Sequence, residues 1–176
     1  ADFVHTYRGG VLRRETVERG TLLVKKPGKM RWEYTAPERK LFVSNGVRIY
    51  WYLPEDKQVT ISAVPPDSTA ATPALFLAGR GSLTRDFNAE FTDLPSDQAA
   101  GGRALKLTPR TPQDDYAWLV LTVDARSLAL RGLLAADAEG GTSSFAFTNL
   151  KENVGTPDHR FEFDIPRGVD VVTAQP

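Results

Sequence analysis

Residues 20–61 read GTLLVKKPGKMRWEYTAPERKLFVSNGVRIYWYLPEDKQVTI, and the alternation of strand and turn signals in this stretch decides the fold. Residues 22–26 form a first strand that stops at Pro27-Gly28. Residues 29–35 then alternate, with Met30, Trp32 and Tyr34 on one face and Arg31, Glu33 and Thr35 on the other. Ala36-Pro37 ends that run. Residues 40–44 and 47–52 flank Asn45-Gly46, a pair that accepts positive φ and closes a two-residue hairpin. This turn predicts that Ser44 faces Val47, Phe42 faces Ile49 and Leu41 faces Tyr50. A fifth strand ends at Ile61. Phe42, Val47, Ile49 and Trp51 then share one face, and Leu41, Val43, Tyr50 and Tyr52 the other. Both faces are apolar, so each needs a cover. The expectation is a sheet that curls around an interior and carries a further segment on its outside.

The totals narrow the class. A chain of 176 residues is read as one domain able to bury a core without staples. Lys plus Arg and Asp plus Glu both number 22, so no net field draws the chain to nucleic acid or to an anionic surface. Cysteine is absent, which excludes disulfides, thiolate metal sites, thiol nucleophiles and a lipidated N-terminal cysteine in the chain as given. No run approaches the ~20 apolar residues of a membrane helix, and no stable membrane insertion is expected. The chain starts with Ala1 already in a strand-like pattern, so removal of an upstream segment is expected.

Outside the central stretch, residues 2–8 and 11–18 flank Gly9-Gly10 as a first hairpin. Residues 64–72 are rich in proline and small polar residues and read as a loop. Thr72 is placed to cap a short apolar helix that begins at Pro73 and carries Leu75, Phe76 and Leu77, stopped by Gly79 and Gly81. Ser82 is placed to cap a second helix over residues 83–87. Six further strands are read at 88–94, 103–109, 116–124, 127–136, 142–150 and 160–165, an antiparallel meander without βαβ units.

No constellation for catalysis emerges. His5 and His159 lack partners at metal-ligand or triad spacing, and each reads as a solvent-facing strand residue. Asp114-Asp115 and Glu55-Asp56 sit in turn contexts, where acids serve the backbone. Gly79-Arg80-Gly81 matches no phosphate loop and reads as a helix stop. No enzyme activity, metal or cofactor is expected. The surplus is aromatic, with three tryptophans and nine phenylalanines. A curling sheet with a small apolar helical cover can enclose a lined cavity, which points to a carrier of apolar ligands.

A set of segments also carries a resemblance: Val24-Lys25-Lys26-Pro27-Gly28-Lys29-Met30-Arg31-Trp32, Val43-Ser44-Asn45-Gly46, Trp51-Tyr52, Gln58-Val59, Thr72-Pro73, and Phe161-Glu162-Phe163 with Pro166-Arg167-Gly168-Val169. In this order they resemble the periplasmic outer-membrane lipoprotein carrier family, LolA, over nearly the whole chain. The resemblance implies a mainly β fold, a half-closed antiparallel β-barrel of about eleven strands with short helices as a lid over an apolar cavity. It implies a single domain over 1–176, with residues 73–87 as the lid and the family's N-terminal helix missing. It also implies a non-enzymatic carrier of acylated lipoproteins in the periplasm. The partners would be an inner-membrane ABC-type lipoprotein release complex and an outer-membrane lipoprotein receptor. In the family a basic residue, usually arginine, precedes the proline of the K-R-P motif and bonds to lid backbone. Here that lid latch is Lys26, which keeps the charge but lacks the planar fork. The residues themselves suggest a cavity lined by Trp32, Phe42, Ile49, Trp51, Leu75, Leu77, Trp118 and Phe147, two or three of which are expected to point elsewhere. The rival readings are a carrier of another envelope lipid or glycolipid, and a structural β-domain for protein docking.

Overall fold

Alternating apolar residues between proline, glycine and asparagine turns produce a mainly β chain. The computed structural model describes residues 1–11, 14–65, 76–93, 102–113 and 115–174. Among them are β1 (Asp2–Arg8), β2 (Glu15–Lys25), β3 (Lys29–Ala36), β4 (Lys40–Asn45), β5 (Arg48–Leu53) and β6 (Gln58–Ala63). A short helix α1 (Leu83–Asp86) follows, then β7 (Phe87–Thr92), β8 (Gly102–Pro109), β9 (Trp118–Asp124), β10 (Leu130–Ala136), β11 (Thr142–Thr148) and β12 (Asp170–Thr173). The strand order is linear, β12-β6-β5-β4-β3-β2-β1-β11-β10-β9-β8-β7, so the sheet is unclosed. Its hairpins are antiparallel, and β12 lies parallel to β6. The loop at residues 66–72, Thr72, Pro73, Leu75 and Asp114 lie outside the described residues.

Several sequence-based expectations change. Residues 11–18 and 22–26 are not two strands: β2 runs through Gly20, and the irregularity there is a shift in its pairing with β3 between Arg19 and Gly20. The β4–β5 register is Leu41↔Tyr52, Phe42↔Trp51, Val43↔Tyr50 and Ser44↔Ile49, two residues from the expected one. The cause is the turn. Asn45 Oδ1 accepts from the backbone N–H groups of Val47 (3.0 Å) and Arg48 (2.9 Å), an Asx arrangement that keeps four residues out of the ladder. A two-residue shift leaves every side chain on its expected face. Residues 160–165 are not a strand but a 3-10 turn, Asp158–Phe161, followed by extended chain outside the sheet. The strand beyond it, β12, is the one over the expected eleven. Finally, His5 does not face solvent: it is half-buried, stacked on Phe145 with ring centroids 4.2 Å apart, and its Nε2 lies 2.7 Å from Ser143 Oγ. His159 is exposed, but on the 3-10 turn.

The chain divides into two compact units: one comprises Ala1, Glu18–Gly81 and Lys151–Pro176, the other Asp2–Val17 and Ser82–Leu150, each over its described residues. The first unit is covered on both sheet faces, as the doubly apolar hairpin requires. On one face Met30, Trp32 and Tyr34 are buried. On the other, Val43 and Val59 are fully buried together with Phe161 of the 3-10 turn. Phe163 places its ring 5.6 Å from Tyr50 and 5.4 Å from Tyr52. The covering strap is held by charge. Lys25 and Lys29 stand directly opposite each other, a repulsive pair in a ladder, and Asp158 meets both, at 2.7 and 3.1 Å. Lys25 Nζ also donates to Thr156 O at 3.0 Å.

The second unit buries Phe3, Leu107, Leu119, Leu133, Phe147, Phe87 and Tyr116. Helix α1 starts where the sequence placed its cap, with Ser82 Oγ accepting from Arg85 N at 3.4 Å. The β9–β10 turn is set by Asp124, whose carboxylate accepts from Ser127 N (2.9 Å), Arg126 N (3.0 Å) and Ser127 Oγ (3.1 Å) and pairs with Arg131. Those bonds, the backbone ones first, hold its pKa at about 2.

Candidate functional site

The register of β3, β4 and β5 gathers four sequence-predicted residues. Trp32 lies opposite Phe42, and Phe42 opposite Trp51, while Ile49 pairs with Ser44 one step along the same face. Trp32 is deep: its indole N–H finds a soft acceptor in Met30 Sδ at 3.2 Å, which satisfies a buried donor without admitting water. Trp51 meets Tyr34 edge-on at 6.1 Å and Phe42 at 6.0 Å, the tilted geometries aromatic quadrupoles favour. Phe42, Ile49 and Trp51 are only half-buried. The face therefore passes from filled core at Met30 and Trp32 to apolar surface that protein atoms cover incompletely.

One edge of this face is polar. Lys40, opposite Tyr34, donates to Glu18 at 2.5 Å, with the two side chains 24% and 14% exposed. Glu18 raises the Lys40 pKa, mainly through this bond. Burial pushes the Tyr34 phenol well above its ordinary range, and the Glu18 carboxylate adds to the shift. The arrangement keeps Tyr34 neutral while giving the apolar face a fixed, charged border.

The segment 76–81 docks at the turn end of the same strands. Phe76 and Leu77 are helical and half-buried, and Ala78 is fully buried. Gly79 N closes a turn on Phe76 O at 3.0 Å, Gly28 N donates to Ala78 O at 2.9 Å, and Arg80 Nη2 donates to Gly46 O at 2.9 Å. Ser44, fully buried, links the two receiving turns: its Oγ donates to Gly28 O at 2.7 Å and accepts from Gly46 N at 3.3 Å. Lys26 contributes carbon. A Cβ built on Gly79 would fall 3.0 Å from Lys26 Cδ, and the exposed Lys26 has no hydrogen-bond or ion-pair partner among the described residues. Leu75 lies outside the described residues.

In the second unit, Phe147 and Trp118 occupy opposite sheet faces. Phe147 follows Phe145, which pairs with Leu133 and through it with Leu121, whereas Trp118 pairs with Ala136 on the reverse side. Lys106 Nζ sits 5.7 Å over the Trp118 ring, a cation–π contact on a half-buried indole. Phe145 stacks beside Phe147 at 6.3 Å and tilts against Phe3 at 6.1 Å, so this unit has an apolar face of its own. Strand parity within 142–148 already places Phe145 with Phe147, a signal that the sequence reading left unused. Arg80, which reads in sequence only as part of a helix stop, and Ser44, which reads only as a strand residue, both bond to the turns here. Arginine between two glycines after an apolar run is the readable trace of the first, and serine at an inward strand position that of the second.

The profile of the family described as outer membrane lipoprotein carrier protein LolA matches residues 1–164. A protein of Chromohalobacter salexigens described as an outer-membrane lipoprotein carrier protein is 33% identical over 173 residues, 98% of this chain and 79% of its own length. One from Pseudomonas fluorescens with the same description is 32% identical over 153 residues, 87% of this chain and 70% of its own. Among solved structures, a LolA superfamily protein from Nitrosomonas europaea aligns over 92% of this chain and 88% of its own, at 14% identity and a TM-score of 0.44.

Proposed function

Because the chain belongs to the outer membrane lipoprotein carrier family LolA, we propose that it is a periplasmic carrier of acylated lipoproteins. It takes them from an inner-membrane ABC-type release complex and delivers them to an outer-membrane receptor, without catalysing a reaction. The observation that carries this reading is the incompletely covered apolar face of Phe42, Ile49 and Trp51, backed by buried Trp32 and bordered by the docked segment 76–81. Acyl chains lie against this face in an apolar cavity, and Leu77 supplies the lid side. The face of the second unit that carries Phe147 offers another apolar surface, while Trp118, on the reverse side beneath Lys106, is left out of the lining.

The energetics suit a carrier. Each buried CH₂ is worth ~0.8 kcal/mol, so one long acyl chain exposed to water costs on the order of 10 kcal/mol. Delivery then needs a cover that moves, since a ligand shifts a conformational equilibrium only through its differential affinity for the two states. Leu77→Glu tests the lid assignment: a carboxylate there is desolvated without a partner when ligand is enclosed. Binding of an apolar environment-sensitive dye is expected to be lost while the circular dichroism spectrum is kept. Undiminished dye binding by a folded Leu77→Glu variant contradicts the assignment.

A further inference from the structure

We infer that Arg80, on the covering segment, fastens segment 76–81 to the sheet, and that Gly28 is the socket that admits it. Three backbone stretches converge at this point: the turn at 27–28, the turn at 45–46 and the segment itself. Ser44 Oγ joins the two turns through Gly28 O (2.7 Å) and Gly46 N (3.3 Å), so they form one receiving surface. Bonds that cross to the segment among the described residues include Gly28 N to Ala78 O and Arg80 Nη2 to Gly46 O, both 2.9 Å. Of these two, the second is charge-assisted, the stronger class of hydrogen bond.

The fit is steric as well as polar. Gly28 has φ +72, and a Cβ there would fall 2.7 Å from Arg80 Nε and 3.2 Å from Nη2. The guanidinium therefore occupies the volume that any other residue at 28 would fill with its own side chain. Lys26, on the neighbouring strand end, lends its aliphatic stem to Gly79 and no bond among the described residues. The planar fork reaches a backbone carbonyl in a direction that a lysine ammonium does not fix, so the two cations are not equivalent here. The fastening runs from segment to sheet, and its strength sets how often the segment lifts. The consequence for ligand release rests on the carrier reading proposed above; the fastening itself does not.

The test is amide hydrogen exchange on the whole chain, comparing Arg80→Met, Arg80→Lys and Lys26→Met with the parent. The Gly28 N–H, which donates to Ala78 O, reports lifting of the segment. Both Arg80 variants are expected to raise its exchange by at least roughly tenfold, the effect of losing one charge-assisted bond, while amides in β3–β5 keep their protection. Lys26→Met is expected to leave it unchanged. Unchanged Gly28 exchange in Arg80→Lys, or an equal rise in Lys26→Met, overturns the inference. A parallel measurement follows transfer of a bound acylated lipopeptide to vesicles, expected to be faster in the Arg80 variants. If the parent binds no lipopeptide at all, the carrier reading fails, and the exchange result still decides the fastening.

Discussion

Ser44 shows how one small side chain can position a larger device. It is fully buried, stands on the apolar face among aromatic neighbours, and spends its hydroxyl on two turn backbones. In Ser44→Ala the Gly28 carbonyl loses its donor in a dry environment, and the loss of stability is expected to be about 1–3 kcal/mol by urea denaturation. A neutral substitution would mean that water replaces the hydroxyl. Asp124 gives a prediction in pH. Its folded pKa, about 2, lies below the ordinary ~3.9 of an unfolded aspartate, so its stabilisation is complete above that ordinary value. It is lost as pH falls from about 4 through about 2. The melting-temperature gap between the parent and Asp124→Ala is therefore expected to be constant near neutrality and to shrink over that acid window. A gap that persists at pH 2 would assign the effect to packing.

At the scale of elements, the strap covers one sheet face of the first unit, while the segment 76–81 fastens onto the turns at 27–28 and 45–46. Phe161 is fully buried against the face of Val43 and Val59, and Phe161→Ala is expected to cost about 3–5 kcal/mol in denaturation experiments. A cost below 1 kcal/mol would mean the strap collapses into the space and is not a structural cover. These elements also mark how far the sequence is legible. The alternation through Met30, Trp32 and Tyr34 and the apolar character of both hairpin faces predicted the strands, their faces and the need for an outer cover. The identity of that cover was not readable. Phe161 and Phe163 have strand-like spacing, and only the long-range contact with Tyr50 and Tyr52 and the Asp158 bridge to Lys25 and Lys29 turn them into a strap. The β4–β5 register failed for a local reason, since the Asn45 carboxamide competes for backbone donors that a two-residue turn would leave to the ladder. For the candidate site, strand parity was enough to gather Trp32, Phe42, Ile49 and Trp51. It did not separate Trp118 from Phe147, both read as lining, because their faces depend on the register of the strands between them, which the structure supplies.

For the molecule as a whole, a family match that spans residues 1–164 coincides with an apolar face that protein atoms cover only in part. Neither alone specifies a ligand: apolar faces accept many chains, and the face does not read a head group. The polar border of Glu18, Lys40 and Tyr34 is held by the Glu18–Lys40 bond; on the carrier reading proposed above, the cover is the element whose equilibrium would govern loading and release. The measurement that bears most directly on this is competition for the apolar face. An environment-sensitive dye is bound to the protein, then challenged with a triacylated lipopeptide and with the same peptide lacking its acyl chains. Displacement by the acylated peptide alone is the predicted result; equal displacement by both, or by neither, would contradict the claim that this chain carries lipoproteins by their acyl chains.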